Sequence, residues 1–366
     1  MNVLSMGVEE ELLLVDRSSR RPVDRAPAVV ATAAAALRDQ VRTRFFAAQL
    51  ELCTKPVGDA AALRAELTRL RRGAATAAAE YGCRLVATGT PVVPPSRPFT
   101  VTASDRYRRM ARKFAAIVGR YDGLVCGCHV HVGTADRAAA LSLSNHMRPW
   151  LPGLQSLTGN SPFYLGRDTG FESWRFKEFA RWPTVGPAPV LHEAQYEAYV
   201  GALVEDRILL DRRMVYWYAR PSERVPTLSV RVPDVNADLD TVVLVAALVR
   251  GLAASLTADV EAGRPPPRVP EHLLRAAHEL AAAEGLAGQG LDPLTGERLP
   301  ARALVERLVA RAAPGLEAAG ELGLVEESLR RLWGEGSGAS RQRAVLRRHG
   351  RLTAVVDALA AATSAA

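Results

Sequence analysis

Lysine is almost missing from this chain of 366 residues. Of its 47 basic residues only Lys55, Lys113 and Lys177 are lysines; the rest are arginines, set against 39 acids for a net charge of +8. Acids are interspersed with the arginines nearly everywhere, so there is neither a basic tail nor a stripe of bases and aromatics, and nucleic acid is not the expected partner. Excess positive charge suits instead an anionic small molecule such as a nucleotide. Cysteine is scarce as well. Cys53, Cys83, Cys126 and Cys128 are too few and too scattered for a disulfide framework, which points to a reducing, cytoplasmic setting. Residues 1–6 lack the basic start and apolar stretch of a secretory signal. The longest apolar run, TVVLVAALVRGLAASL from Thr241 to Leu256, is short for a bilayer and carries Arg250, so it predicts a buried helix and no membrane partner.

What is present is a hydrophobic fraction of 48%, enough for the core of a large domain. Alternating patterns predict strands over 3–16, 42–54, 124–134 and 224–232, and 84–89 reads as a buried strand. Helical patterns cover 26–40, 59–81, 104–119, 136–157, 193–213 and 238–261, while 159–189 is a long aromatic loop rich in glycine and proline. Past Arg264-Pro265-Pro266-Pro267 the chain is almost wholly helical, with a glycine-rich break at 334–338. The division is therefore an α+β core over 1–264 and a helical region over 265–366 packed on it as one continuous domain. Strands of a parallel core sheet would be apolar on both faces. Several here are polar on one face, which predicts a mainly antiparallel sheet between helices and a wet cleft.

Those polar faces hold the candidate chemistry. In GVEEELLLVD the alternation puts Glu9 and Glu11 on one face and Glu10 with Val8, Leu12 and Leu14 on the other. Two adjacent carboxylates repel unless a cation lies between them. The later strands add Gln49 and Glu51, then His129 and His131, then Thr227, Ser229 and Arg231. Carboxylates with a histidine suit Mg²⁺ or Mn²⁺, and an arginine beside them suits a phosphoryl group. Taken singly, each piece has a plainer meaning: the wet side of an edge strand, a structural histidine pair, a salt-bridge partner for Arg231. A zinc site at CGCHVH is disfavoured because alternation puts Cys126 and Cys128 opposite the histidines. The long loop offers Ser161, Arg167, Arg175, Lys177 and Arg181 among Phe163, Tyr164, Phe171 and Trp174 as anion-binding candidates. Arg220 in YWYARPSE is either another or a partner of Glu223.

GVEEELLLVD, Gln49-Leu50-Glu51, CHVHVG, NSPFYLGRDTGFESWR, ARPSERVPTLSVRVPDV and GSGASRQR, in this order and spacing, resemble the type 2 glutamate–cysteine ligase family of carboxylate–amine ligases. The resemblance spans nearly the whole chain and implies a glutamine synthetase-like catalytic fold: a curved, mainly antiparallel sheet flanked by helices. It implies ATP and Mg²⁺ or Mn²⁺ as cofactors and a small-molecule carboxylic acid and amine, such as amino acids, as partners. It also implies amide formation, γ-glutamyl in the type case, through an acyl phosphate, and a homodimer. By position it implies Glu9, Glu11, Glu51 and His129 as metal ligands, with Glu51 and Arg231 catalytic. His131, Ser229 and Arg231 would face the nucleotide phosphates, and Arg175, Arg220, Tyr164 and Ser161 the substrates.

The chain departs from the family pattern in two places. The fourth strand of the family usually has a metal-ligating glutamate where this chain has Ser229, a poorer ligand. An arginine-rich motif after the proline linker is replaced by LLRAAHELAAAEG, with His278 at one arginine position. The alternative implied by these departures is a catalytically degenerate member that binds nucleotide or a partner protein without turnover.

Overall fold

The computed structural model describes residues 4–118 and 123–365. Its strands are β1 (Met6–Asp16), β2 (Val41–Thr43), β3 (Gln49–Cys53), β4 (Cys83–Val86), β5 (Cys128–Gly133), β6 (Phe163–Tyr164), β7 (Arg167–Asp168), β8 (Ala219–Pro221), β9 (Thr227–Val230), β10 (Gln289–Leu291) and β11 (Arg298–Pro300). Helices α1 (Ala26–Leu37), α2 (Ala60–Glu80), α3 (Asp105–Lys113), α4 (Ala115–Val118), α5 (Arg137–Met147), α6 (Leu151–Leu157), α7 (Trp174–Phe179) and α8 (Glu193–Glu205) alternate with the strands. The C-terminal half adds α9 (Leu239–Glu261), α10 (Glu271–Glu284), α11 (Ala301–Ala318), α12 (Leu322–Glu335), α13 (Gly338–His349) and α14 (Leu352–Ser364).

Seven strands form one antiparallel sheet in the order β2-β3-β1-β5-β9-β8, with β4 also on β1. The central strand β1 pairs with β3 across Glu9–Leu13 on one edge. Its other edge is shared: β5 takes Met6–Glu10 and β4 takes Leu13–Asp16. The two part beside Glu11, whose N–H donates to Gly127 O at 3.0 Å. This antiparallel α+β architecture is the expected one.

One face of the sheet is packed. Val8, Val130, Val132, Leu228 and Val230 lie under α2, α5 and α9 in the largest apolar cluster. Helix α9 is buried continuously from Thr241 to Leu256 and almost wholly apolar there, its one charge in that stretch, Arg250, being paired with Glu321. At 23 residues it is long and apolar enough to cross a membrane, longer than the run at Thr241–Leu256 suggested, but 89% of that window is buried inside the protein, which is the expected burial. Helix α11 crosses it backbone to backbone: a Cβ on Gly315 would lie 2.1 Å from Gly251 O. Glu10 points to this packed face and is fully buried. Arg71 of α2 donates to both Glu10 oxygens at 2.9 and 2.6 Å, and to Asn236 O at 2.6 Å and Ala237 O at 2.9 Å. A buried charge pair survives only when its remaining donors are satisfied in this way.

Several expected elements come out differently. The single strand over 42–54 is two, because the chain bends at Arg44–Ala48 and Phe46 pairs with Val101 instead. The helix over 193–213 ends at Glu205, and Arg207 then takes φ 57°, outside helical space. The helix over 104–119 divides into α3 and α4, and its expected end at Gly119 lies outside the described residues, as do Val3 and Ala366 at the outer ends of their segments. The loop over 159–189 carries the β6–β7 hairpin and α7, and the C-terminal region carries a β10–β11 hairpin among its helices.

Candidate active site

The face of β1 opposite Arg71 carries Glu9 and Glu11, as the alternation predicts. Register sets the rest beside them: Glu11 opposite Glu51, Glu9 opposite His129, His131 opposite Ser229, and Ser229 opposite Arg220. Neighbouring strands thus bring acids, imidazoles, a hydroxyl and guanidinium groups from distant sequence segments to one cleft.

His129 Nδ1 lies 3.2 Å from Glu9 Oε2, and His131 Nε2 lies 3.6 Å from the same oxygen. His131 is also held by two hydroxyls, Thr227 Oγ1 at 2.9 Å from Nδ1 and Ser229 Oγ at 3.2 Å from Nε2. Glu9, Glu51 and His129 each offer a ligand atom within 4.8 Å of the others. The donor types fit a small divalent cation. So does an orphaned atom: Glu51 Oε1 is buried without a hydrogen bond, although Arg44 Nη1 stands 3.1 Å away. Burial pushes the Glu51 carboxyl up to about 7; Arg44 opposes this, and the charges of Glu9 and Glu11 add to it. Burial and Arg231 push His129 down to about 3, leaving a neutral imidazole fit to ligate. Burial disfavours the Glu9 anion, but hydrogen bonds from His129 and His131 win and hold it far below the usual carboxylate range.

Glu11 stands outside this trio. Its carboxylate is taken by Arg44 on Oε1 and by the Gly127 N–H, 2.8 Å from Oε2. Burial opposes its ionisation, yet Arg44 brings it down to about 2. Arg44 was not among the residues singled out by sequence reasoning; with Gln49 and Tyr216 it lines the cleft beside Glu11, His129 and Arg231. Nothing local in RTRFF marks Arg44, because its role arises only when the bend after β2 turns it back over Glu11 and Glu51.

Two arginines face the cleft without acidic partners. Among the described residues no carboxylate lies within ion-pair distance of Arg231 or Arg220, and each leaves its Nε buried and unbonded. Burial lowers the Arg231 guanidinium to about 10, with Arg220 contributing. Arg220 does not pair with Glu223, which takes the Tyr196 hydroxyl at 2.5 Å and Arg212 Nε at 3.2 Å. Arg175 also lines the cleft, over the Phe179 ring at 5.1 Å, with its amino groups donating to Val232 O and Arg231 O at 3.2 Å.

The structure does not bring Ser161 and Tyr164 to these groups. Ser161 is fully buried; its hydroxyl donates to Asp234 Oδ2 at 2.6 Å and accepts from the Arg175 N–H at 3.0 Å, so it orients the backbone of Arg175. Tyr164 packs on Trp174 at 5.9 Å in the β6–β7 hairpin. The ligand cluster includes neither Cys126 nor Cys128, both buried and free. Burial pushes the Cys126 thiol up to about 12, the state of a small hydrophobe rather than a zinc ligand.

A mainly antiparallel sheet thus sets carboxylates and imidazoles across one cleft from arginines that have no acidic partner among the described residues. The sequence profile of glutamate–cysteine ligase family 2 (GCS2) matches residues 5–358. The chain belongs to that family and is an ATP-dependent carbon–nitrogen ligase. A Salinispora tropica protein named "Putative glutamate--cysteine ligase 2" is 45% identical over 366 residues, covering 99% of this chain and 96% of its own length. A Saccharopolyspora erythraea protein named glutamate–cysteine ligase 2-1, with the same qualifier, is also 45% identical, covering 97% and 93%. The crystal structure of a Francisella tularensis glutamate–cysteine ligase in complex with AMP superposes with a TM-score of 0.71 at 14% identity, over 100% of this chain and 89% of that one. At that identity the likeness establishes the fold.

Proposed function

We propose that the chain joins a small carboxylic acid to an amine at this cleft, with amino acids as the substrate class and a γ-glutamyl amide as one candidate product. The reading is carried by the juxtaposition of the Glu9, Glu51 and His129 donor set with the unpaired Arg231 and Arg220. A carboxylate resists attack by an amine until it carries a leaving group. Transfer of the ATP γ-phosphoryl to the acid gives an acyl phosphate and ADP; the amine then attacks the acyl carbon, loses a proton and expels phosphate. Phosphoryl transfer needs positioning and charge neutralisation more than covalent help.

Glu9, Glu51 and His129 would hold Mg²⁺ or Mn²⁺, which supplies positive charge against the triphosphate and the acid. Arg231, buried and without an acid of its own, holds positive charge where the transferring phosphoryl would sit. His131, fixed by Thr227 and Ser229, offers a phosphate contact. Arg220 and Arg175 face substrate carboxylates, for which a guanidinium fork is suited. Ser161 supports Arg175 from behind. A homodimer working in the cytoplasm belongs to the same reading.

The test is a mass-spectrometric screen of acid and amine pairs with ATP and Mg²⁺. One pair should yield a condensed product with equal amounts of ADP and phosphate. ATP binding with no product from any pair would favour a catalytically silent member, for which Ser229 is the structural argument.

A further inference from the structure

Three carboxylates, Glu9, Glu11 and Glu51, converge on the cleft, and they are not compensated alike. Arg44 sits in the bend between β2 and β3. It is anchored by its neighbours: Phe46 is in the core, and Phe45 stacks edge-on with Tyr107 at 5.5 Å and Trp182 at 5.8 Å. From there its guanidinium spans Glu11 and Glu51, with Nη2 on Glu11 Oε1 and Nη1 3.1 Å from Glu51 Oε1. The second oxygen of Glu11 is closed by the Gly127 N–H. Glu11 is therefore a satisfied anion. Glu51 is not, since its Oε1 makes no hydrogen bond.

Arg44 thus already sets one fixed positive charge against the Glu11–Glu51 pair, whereas Glu9, Glu51 and His129 each keep a ligand atom within 4.8 Å of the others. A second divalent cation between Glu11 and Glu51 would have to share that space with the guanidinium that spans them, in a partly desolvated site where like charges repel more strongly than in water.

We propose that Arg44 is a built-in cation at the Glu11–Glu51 pair, so that the protein by itself holds one divalent cation, on Glu9, Glu51 and His129, and Glu11 is not among its ligands. This rests on the reading of that trio as the metal site. Any further cation then has to arrive already bound to the phosphates of the nucleotide.

The test is a titration of the metal-stripped, nucleotide-free protein with Mn²⁺, following free Mn²⁺ by electron paramagnetic resonance. The wild type should bind one ion, Arg44→Lys one, and Arg44→Gln two. Glu11→Gln should leave the first dissociation constant within about threefold, whereas Glu51→Gln should weaken it by roughly tenfold or more. This last contrast decides the matter even where Arg44→Gln does not fold, as judged by circular dichroism. Two ions in the wild type, a folded Arg44→Gln that still binds one, or a Glu11→Gln defect as large as that of Glu51→Gln would overturn the role of Arg44 while leaving the trio standing. No ion in the wild type would remove the trio and this inference together.

Discussion

Glu10 and Glu51 lie on adjacent strands of one sheet, and both are buried, but they face opposite sides and live in opposite electrostatic conditions. Glu10 has both oxygens bonded to Arg71, whose other donors go to Asn236 O and Ala237 O. Glu51 has a shared arginine, two neighbouring acids and an oxygen with no hydrogen bond. Burial alone therefore does not distinguish the cleft carboxylates from the structural one. What sets Glu51 apart from Glu10 is that two neighbouring acids, Glu11 and Glu51, share one arginine, so a cation could supply the charge that is missing there.

The largest way to break this comparison is to remove one partner on the packed side. Arg71→Met should cost about 3–5 kcal/mol, because it strands a buried anion; Glu51→Gln should cost nothing or stabilise the metal-free protein. Urea unfolding of the two variants checks both. A mild Arg71→Met or a severely destabilised Glu51→Gln would erase the contrast.

His278 extends the packed side. It is buried between Gln155, 2.5 Å from Nδ1, and the Tyr218 ring at 4.4 Å, and burial pushes it down to about 3. Its folded form is neutral, so between the unfolded value of about 6.5 and the folded value the unfolded chain binds the extra proton. Stability should therefore fall with acidity through that window, by up to ~1.4 kcal/mol per pH unit from this group, and not depend on it above the window. Denaturation midpoints across that range should show a shallower slope for His278→Gln; an unchanged slope would mean that His278 is not the acid-sensitive group.

The smallest effect sharpens the cleft side. Ser229→Glu places a carboxylate beside His131 and should raise Mn²⁺ affinity by roughly tenfold. An identical titration curve would place Ser229 outside the reach of any cation.

Much of the cleft was legible because strand alternation is local. The period of two separates Glu9 and Glu11 from Glu10, and does the same for His129 and His131. What was not legible depended on reach across strands. Arg44 has no periodic signature, and the bend that aims it interrupts what looked like one continuous strand. Ser161 and Tyr164 sit in a segment rich in anion-binding residue types, but burial against Asp234 and packing on Trp174 took them elsewhere. The β10–β11 hairpin was hidden in helix-forming composition, although Asp292-Pro293 and Gly296 mark its turn. Strand β8 is short and ends in proline, so only its pairing with β9 reveals it.

The most direct test is anomalous diffraction from a crystal soaked in Mn²⁺ with a non-hydrolysable ATP analogue. A peak about 2.1 Å from Glu9, Glu51 and His129, with the triphosphate between it and Arg231, is the predicted result. Density for the nucleotide elsewhere, or an empty trio with its side chains turned apart, would contradict the account.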